Sequence, residues 1–327
     1  MPHPISISSG QWWDLPFETL CQKMAEFGYD GLELACWGDH FDVERALSDD
    51  SYIPNRCDIL EKYSLKCYAI SNHNVGQAIC DVIEEKNKFT LPGHIWGDGN
   101  EDGVRRRAVE NMQNAARAAA LFGVPVISGF TGSPIWRHLF YWRPDMAEVV
   151  EQGYRFFAEM WNPVLDVFGR EGIRFALEVH PTEIAFDIVT SQKAVEALDG
   201  RREFGFNYDP SHLGYQGVDY IRFIRTFGDR IYHVHMKDAH WSHTPAETGV
   251  FGGHLPFGDP RRYWDFRSPG RGRINFEAII RALNEVGYQG ALCVEFEDPD
   301  MEREFGAREA CEFVRKLDFT SSKKFPS

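Results

Sequence analysis

The sequence lacks a long hydrophobic run, closely spaced cysteines and an excess of positive charge. No uninterrupted apolar stretch reaches the ~18 residues that a membrane-spanning helix needs, and residues 1–9 lack the charged and apolar regions of a signal peptide. The seven cysteines include no Cys-x-x-Cys pair, which excludes a zinc ribbon and a thioredoxin motif and is typical of a reducing compartment. We therefore expect a protein of the cytoplasm that crosses no membrane.

The small number of basic residues limits which kinds of molecule the protein is expected to bind. The chain of 327 residues has 35 Lys and Arg against 49 Asp and Glu, which gives a formal net charge of −14. Such an acidic chain repels phosphate backbones and anionic lipid headgroups. We therefore expect a small-molecule ligand rather than a nucleic acid or a membrane surface.

Short runs rich in Val, Ile, Phe and Tyr alternate with segments of helical periodicity along the chain. The predicted strands are Ile5–Ser8, Gly31–Ala35, Lys66–Ile70, Pro125–Gly129, Arg174–Val179, Phe204–Tyr208, Ile231–Met236 and Ala291–Phe296. Each predicted strand is followed by a predicted helix, and the composition does not change along the chain. This pattern predicts one (β/α)8 TIM barrel domain of the α/β class over residues 1–327. A doubly wound open sheet is the alternative, but the Gly-x-Gly-x-x-Gly turn that would favour it does not follow the first strand.

Glycines are predicted to end several of the helices between these strands. The apolar periodicity stops at Gly28, Gly123, Gly169 and Gly287, and glycine favours the left-handed backbone that ends a helix. The connections after the third and seventh strands, 72–102 and 238–273, are unusually long. Loops of this length at the C-terminal end of a barrel are typical of substrate loops, lids or subunit contacts.

Acidic and imidazole side chains gather where the last four predicted strands end. They are Glu178 and His180, Asp209 and His212, His233 and His235, and Glu295 and Glu297. Side chains two residues apart share one face of a strand, and carboxylates inside a barrel are costly unless they are paired or bound to metal. Each residue alone is more typical of a salt bridge or a satisfied polar group, but their coincidence on four consecutive strands predicts a divalent-metal site. Three carboxylates and one imidazole, without thiolate, favour Mn²⁺, with Mg²⁺ and Co²⁺ as alternatives.

Several motifs together resemble the xylose isomerase-like superfamily of metal-dependent barrels, which includes sugar phosphate isomerases and epimerases. The motifs are the Gly-Tyr-Asp-Gly-Leu-Glu-Leu opening at 28–34, Asp209-x-x-His212, His233-x-His235-x-Lys237-Asp238 and Val294-Glu295. The resemblance implies a TIM barrel whose metal ligands fall on Glu178, Asp209, His235 and Glu295, and a substrate histidine at His212. It also implies a substrate contact at Arg271, since residues 269–272 match the Pro-Gly-Arg-Gly loop of ketose epimerases. The residues after His235 differ from the ketose-epimerase pattern.

The chemistry that the resemblance implies is removal of a proton next to a carbonyl, with a metal-stabilised enediolate. We expect Glu178 and Glu295 to act as acid and base besides binding metal. His180, His73 and Lys237 are predicted to contact substrate, with an ion pair between Lys237 and Asp238 as the alternative for the lysine. The predicted function is a sugar or keto-sugar isomerase or epimerase, and the alternative is a β-eliminase of 3-keto glycosides, including O- or C-deglycosylation.

Two further alternatives come from other classes of protein. An apurinic endonuclease shares the barrel and part of the motif, but the net charge of −14 argues against DNA as substrate. A non-catalytic subunit is disfavoured by the intact ligand set. We expect a homo-oligomer because the 238–273 connection is long and aromatic, and a second, foreign subunit stays open.

Overall fold

The computed structural model describes residues 2–140, 142 and 144–320, and its strands build a closed parallel barrel. The strands are β1 Ile5–Ser8, β2 Gly31–Ala35, β3 Lys66–Ser71, β4 Val126–Gly129, β5 Arg174–Glu178, β6 Phe204–Tyr208, β7 Ile231–Met236, β8 Asp238–Trp241, β9 Trp264–Arg267 and β10 Leu292–Val294. The barrel order is β1-β10-β7-β6-β5-β4-β3-β2, and Ile7 of β1 stands opposite Val294 of β10 and Leu32 of β2. The predicted TIM barrel and its eight strands are confirmed, with boundaries that differ by at most two residues.

Helices surround the barrel and cover the outer face of its strands. They are α1 Phe17–Glu26, α2 Val43–Ser48, α3 Tyr52–Lys62, α4 His73–Gln77, α5 Gly93–Trp96, α6 Glu101–Phe122, α7 Met146–Glu171, α8 Ile188–Ala197, α9 Pro210–Gly214, α10 Tyr220–Phe227, α11 Phe276–Val286 and α12 Arg303–Leu317. Within the described residues, none of these helices combines the length and the apolar character that a bilayer crossing requires.

Local signals in the sequence account for where the long helices begin and end. Asn100 and Asn275 cap α6 and α11, each accepting a backbone N–H from three residues ahead. Gly123 ends α6 with φ +76°, as predicted. The predicted end of α7 at Gly169 is wrong, because the helix continues to Glu171 and Gly172, with φ +69°, takes the left-handed conformation.

The two long connections have internal structure of their own. Residues 72–102 contain α4 and α5 and a short 3-10 turn, and 238–273 contains β8 and β9 paired antiparallel as a small separate sheet. Asp238 anchors this second connection, because its carboxylate accepts backbone N–H groups of Gly270, Gly272 and Ile274 at 2.8–3.1 Å. Both connections leave the C-terminal ends of barrel strands, which is where barrel enzymes place their sites.

Apolar side chains fill the space between strands and helices, whereas one interior level of the barrel is polar. In the outer layer Trp161 of α7 packs on Phe175 of β5, with ring centroids 4.4 Å apart. Inside the barrel, the polar residues Glu33, Ser128 and His233 are buried, with at most 2 % of their surface exposed. Bulky aliphatic residues usually fill that interior, so the polar level marks the part of the fold where function is to be sought.

Candidate active site

The four residues predicted as metal ligands meet at the C-terminal mouth of the barrel. Glu178 ends β5, Asp209 follows β6, His235 lies near the end of β7, and Glu295 follows β10. One ligand atom from each lies within 4.8 Å of the others, and all four residues are buried. We call these four residues the ligand cluster. The structure thus brings together the set predicted from the sequence, while their role as ligands stays a prediction.

Asp209 supplies an oxygen that the protein leaves without a hydrogen bond. Its Oδ1 accepts the backbone N–H and the hydroxyl of Ser211, both at 2.7 Å, because Asp209 caps the short helix α9. Its Oδ2 is buried and accepts no hydrogen bond from the described residues, although His212 Nε2 lies 3.4 Å away. Burial raises the pKa of Asp209. A buried carboxylate oxygen aimed into a cluster of donors fits a cation ligand.

Two histidines orient Glu178. His212 Nε2 lies 3.1 Å from Oε1 and His73 Nε2 lies 2.9 Å from Oε2 of this carboxylate. Burial would raise the pKa of Glu178, but these hydrogen bonds and the charge of His235 outweigh it and hold the pKa well below its usual range. The predicted substrate residues His73 and His212 therefore also position the carboxylate at the cluster.

Glu295 is held from the other side by an ammonium group and an amide. Lys237 Nζ lies 3.1 Å from Oε2, and Gln11 Nε2 donates to Oε1 at 2.9 Å. Burial would raise the pKa of Glu295, but the charges of Lys237 and His235 lower it to about 2. Lys237 also lies 2.7 Å from Glu297, so its partners are Glu295 and Glu297, and the alternative of a pair with Asp238 is wrong.

His235 lies between two carboxylates on opposite sides of its ring. Nδ1 is 3.1 Å from Glu295 Oε2, and Nε2 is 2.8 Å from Glu33 Oε2. Burial would lower the pKa of His235, but Glu33 and Glu295 raise it well above its usual value. The two carboxylates therefore favour the protonated form of this imidazole, and a cation held at the cluster would compete with the proton on Nδ1.

Glu33 and Gln11 are not among the residues predicted from the sequence to form the site, but the structure places both beside predicted ligands. Glu33 is an acid in the middle of the otherwise apolar strand β2, within the 28–34 motif, and this isolated charge was the available signal. Gln11 lies three residues beyond the predicted end of β1, where strand-end polar residues are also expected. Neither signal identifies a site residue unless the tertiary contacts are known.

A cavity of about 950 Å³ opens above the ligand cluster. Its floor includes Glu178 and Glu295, and the predicted substrate residues His73, His180, His212 and Lys237 all line it. Burial lowers the pKa of His180 to about 3, so its imidazole is neutral, and its Nδ1 finds no hydrogen-bond partner among the described residues. A neutral imidazole with a free nitrogen is suited to a substrate hydroxyl.

Aromatic side chains form the upper walls of this cavity. Tyr215 and Trp264 stack with ring centroids 3.6 Å apart and an interplanar angle of 3°, and Phe257 packs on Trp264 at 5.6 Å. Trp136 and Phe186 also line the cavity and contact each other with ring centroids 5.1 Å apart. Tyr215 follows α9, whereas Trp264 and Phe257 belong to the 238–273 connection. That connection therefore shapes the cavity, as its length indicated.

Arg271 is the predicted substrate contact that the structure does not bring to the cavity. Its guanidinium makes two hydrogen bonds to Glu309 of α12, at 2.6 and 2.7 Å, and it is absent from the described lining. The reason is the anchoring of Gly270 and Gly272 by Asp238, which turns the side chain between them outward. The Pro-Gly-Arg-Gly match thus predicted the turn but not the direction of the arginine.

The donor set fits a hard divalent cation. Three buried carboxylates within one cluster repel one another unless positive charge is present, and oxygen with a single imidazole is the ligand type that Mn²⁺, Mg²⁺ and Co²⁺ accept. The second buried group of possible ligands, Glu33, His233, His235 and Cys293, lies below the cluster and shares His235 with it.

Comparisons with known proteins agree with this architecture. A family model described as xylose isomerase-like TIM barrel matches residues 21–317. The uncharacterised protein YfiH of Bacillus subtilis (strain 168) is 22% identical over 312 residues, covering 92% of this chain and 95% of YfiH. Inosose dehydratase of Clostridium perfringens (strain 13 / Type A) is 27% identical over 150 residues, 46% of this chain and 49% of the dehydratase, so that match spans about half of each protein. The apo crystal structure of 3-keto-D-glucoside 4-epimerase, YcjR, from E. coli covers 96% of this chain and 99% of its own at 13% identity, with a TM-score of 0.66, and shows the fold alone.

Proposed function

The chain belongs to the xylose isomerase-like TIM barrel family, and on that premise we propose that it is a divalent-metal-dependent isomerase or epimerase of a sugar or keto sugar. The observation that carries the proposal is the buried ligand cluster of Glu178, Asp209, His235 and Glu295 beneath the large cavity. The names of similar proteins, an inosose dehydratase and a 3-keto-D-glucoside 4-epimerase, support chemistry next to a carbonyl. We favour Mn²⁺, with Mg²⁺ and Co²⁺ as alternatives, because the donors are mainly oxygen.

Several residues at the ligand cluster can take part in proton transfer. A divalent cation held there would polarise a substrate carbonyl and stabilise the negative charge of an enediolate. Glu178 and Glu295 are ionised at neutral pH, so either can accept a proton from the carbon next to that carbonyl. His73 and His212 hold Glu178 in place. Return of the proton to a neighbouring carbon would give an isomer, whereas delivery of a proton to the opposite face by a second acid, such as the carboxyl group of Glu295, would give an epimer.

Binding and orientation of the sugar would come from the cavity floor. His180 offers an unpaired nitrogen to a hydroxyl, and Lys237 is buried with its ammonium between Glu295 and Glu297. The lysine therefore contacts a substrate oxygen only while keeping its carboxylate partners, which limits the room for an anionic substituent. This supports a free or keto sugar over a phosphorylated one.

A second candidate reaction is β-elimination from a 3-keto glycoside, with release of an O- or C-linked group. The cavity of about 950 Å³ favours it, because volumes near the top of the ~300–1,000 Å³ range suit ligands larger than one sugar ring. The stacked Tyr215 and Trp264 add a flat apolar wall that a second ring can contact. In this reaction the enediolate expels a β-substituent instead of being reprotonated.

The deciding experiment is metal analysis of the purified protein, followed by assays with metal stripped and restored. The substrates are simple ketoses and 3-keto glucosides, and the products are separated as isomers or as elimination products. We expect about one divalent ion per chain and activity that returns on readdition. If the purified protein binds no metal under any condition, the proposal is wrong. Three zinc ions per chain together with nicking of abasic DNA would favour a nuclease instead.

We also propose that the chain forms a homo-oligomer through the rim of the cavity. Phe251 and Phe257 in the 238–273 connection are 67 and 51 % exposed, and Phe140 packs on Phe251 at 5.4 Å while being 68 % exposed. Adjacent exposed aromatic rings favour burial against a second copy. Light scattering should give a multiple of the 37.6 kDa chain mass, and a monomer that co-purifies with a different protein would point to a foreign subunit.

A further inference from the structure

Glu33 reaches across the barrel interior to the histidine of the ligand cluster. It lies on β2, whereas His235 lies on β7, and these strands are not neighbours in the barrel. Glu33 Oε2 is 2.8 Å from His235 Nε2 and 3.0 Å from His233 Nε2. Both carboxylate and imidazole are buried, with exposed side-chain fractions of 0 and 1 %. Such a contact requires that both side chains point into the same small polar space.

The remaining contacts of Glu33 complete its shell of donors. Ser128 of β4 donates its hydroxyl to Oε1, and the Cys293 thiol of β10 lies 3.4 Å from Oε2. Burial raises the pKa of Cys293, so its sulfur keeps the proton that it can donate. Three strands, β4, β7 and β10, thus direct four donors at one carboxylate, which fixes the position of that carboxylate.

The position of Glu33 distinguishes the two nitrogens of His235. Nε2 faces Glu33, while Nδ1 faces Glu295 at 3.1 Å and Glu178 at 3.6 Å. The Asn207 amide nitrogen lies at nearly equal distances of 3.3 and 3.2 Å from the two ring nitrogens, so it does not select between them. The carboxylate of Glu33 is therefore the group that defines which nitrogen can face a cation.

We infer that Glu33 is a positioning residue, which accepts the Nε2–H of His235 and so presents Nδ1 to a divalent cation at the ligand cluster. The inference rests on the proposed metal site. A carboxylate behind a metal-ligating histidine fixes the tautomer and strengthens the ligand. If the role of Glu33 were purely structural, substituting it would lower the stability of the protein without changing its affinity for metal.

Calorimetric titration of Mn²⁺ into the metal-stripped full chain tests this difference. We expect Glu33→Ala to weaken binding by about 10–100-fold, and Glu33→Gln to weaken it less, because the amide oxygen can still accept the Nε2–H. Glu183→Gln is the matched control, since Glu183 is equally buried and accepts backbone N–H groups of Thr131 and Gly132, away from the cluster. Wild-type affinity in Glu33→Ala would overturn the inference.

A second measurement uses the wild-type side chain and stands even if the Glu33 variants do not fold. Long-range ¹H–¹⁵N spectra of the Zn²⁺-loaded protein report which histidine nitrogen carries the proton, and His235→Gln identifies the signal of His235. We expect the proton on Nε2 and Zn²⁺ on Nδ1. The opposite assignment would overturn the inference.

The two proposals fail in different ways. If wild-type protein binds no Mn²⁺, the proposed function and the positioning role both fall. If wild-type protein binds Mn²⁺ and Glu33→Ala binds it equally well, only the positioning role falls. Two ions per wild-type chain, one of them lost in Cys293→Ala, would make Glu33 a ligand of the second ion and would also overturn its role as a positioning residue.

Discussion

The ammonium group of Lys237 lies 3.1 Å from Glu295 and 2.7 Å from Glu297, and 4.2 Å above the ring of Phe266. Burial would lower the pKa of Lys237, but the carboxylates of Glu295 and Glu297 hold it well above its usual value, so the ammonium group stays charged. This buried ion pair therefore belongs to the candidate active site, and we expect its removal to change both the stability of the protein and the pH dependence of its activity.

We expect Lys237→Met to destabilise the metal-stripped protein by about 3–5 kcal/mol, because one partner of a buried ion pair is removed. The pKa of Glu295, now about 2, should rise without the lysine, so the acidic limb of the activity profile should move to higher pH. Thermal unfolding and a pH profile of kcat/KM check the two effects. Lys316→Met, an exposed lysine 3.8 Å from Glu312, should change neither.

Replacing a carboxylate of the ligand cluster should abolish both metal binding and turnover. In Glu178→Gln and Glu295→Gln we expect kcat/KM to fall at least a hundredfold, which corresponds to about 2.7 kcal/mol of transition-state stabilisation. Mn²⁺ titration and steady-state kinetics on the same preparations measure the two losses together. Full activity in either variant would show that the carboxylate is not needed, and the assignment of the cluster would have to be abandoned.

The aromatic wall separates the two candidate reactions. Trp264→Ala removes the indole that stacks on Tyr215 at 3.6 Å, so we expect a raised KM for a 3-keto glycoside with an aromatic substituent. The KM for a free ketose should stay unchanged, because a single ring bound at the floor does not reach the wall. Equal effects on both substrates would argue against a second subsite there.

The buried Glu183 predicts a stability change with pH. Burial raises the pKa of Glu183 to about 8 in the folded chain from 4.5. The folded state thus holds a proton that the unfolded state releases, so the contribution of Glu183 to stability is fully present below pH ~4.5 and is lost as the pH rises through about 8. Glu183→Gln lacks this titration. We expect the variant to gain stability relative to wild type between pH 5 and 8, measured as the difference in free energy of unfolding by urea titration.

Arg271 gives a prediction of no effect on catalysis. Its guanidinium is paired with Glu309 outside the cavity, so Arg271→Ala should keep kcat, KM and metal content. Glu309→Ala should behave in the same way, because it removes the other half of the same pair. A large rise in KM in the arginine variant alone would show that the side chain moves to the substrate.

Alternation of short β-rich runs with helical periodicity predicted the barrel, because every strand needed an apolar face and every helix an apolar stripe. The strand-end acids and histidines were equally visible, since parallel strands in a barrel deliver their ends to one rim. The error at Gly169 arose because glycine is tolerated inside a helix. Gly169 keeps a helical backbone, and only the left-handed backbone of Gly172 ends the helix.

The sequence by itself therefore determined the fold and the strand-end acids and histidines that gather at one rim, and its resemblance to the family selected four of them as a possible cation site. Only the tertiary structure decided what those residues contact. Glu33 approaches His235 from a strand more than 200 residues away in the chain, and Arg271 turns outward because a distant carboxylate holds its loop. Such contacts depend on long-range packing, and local propensity carries no information about them.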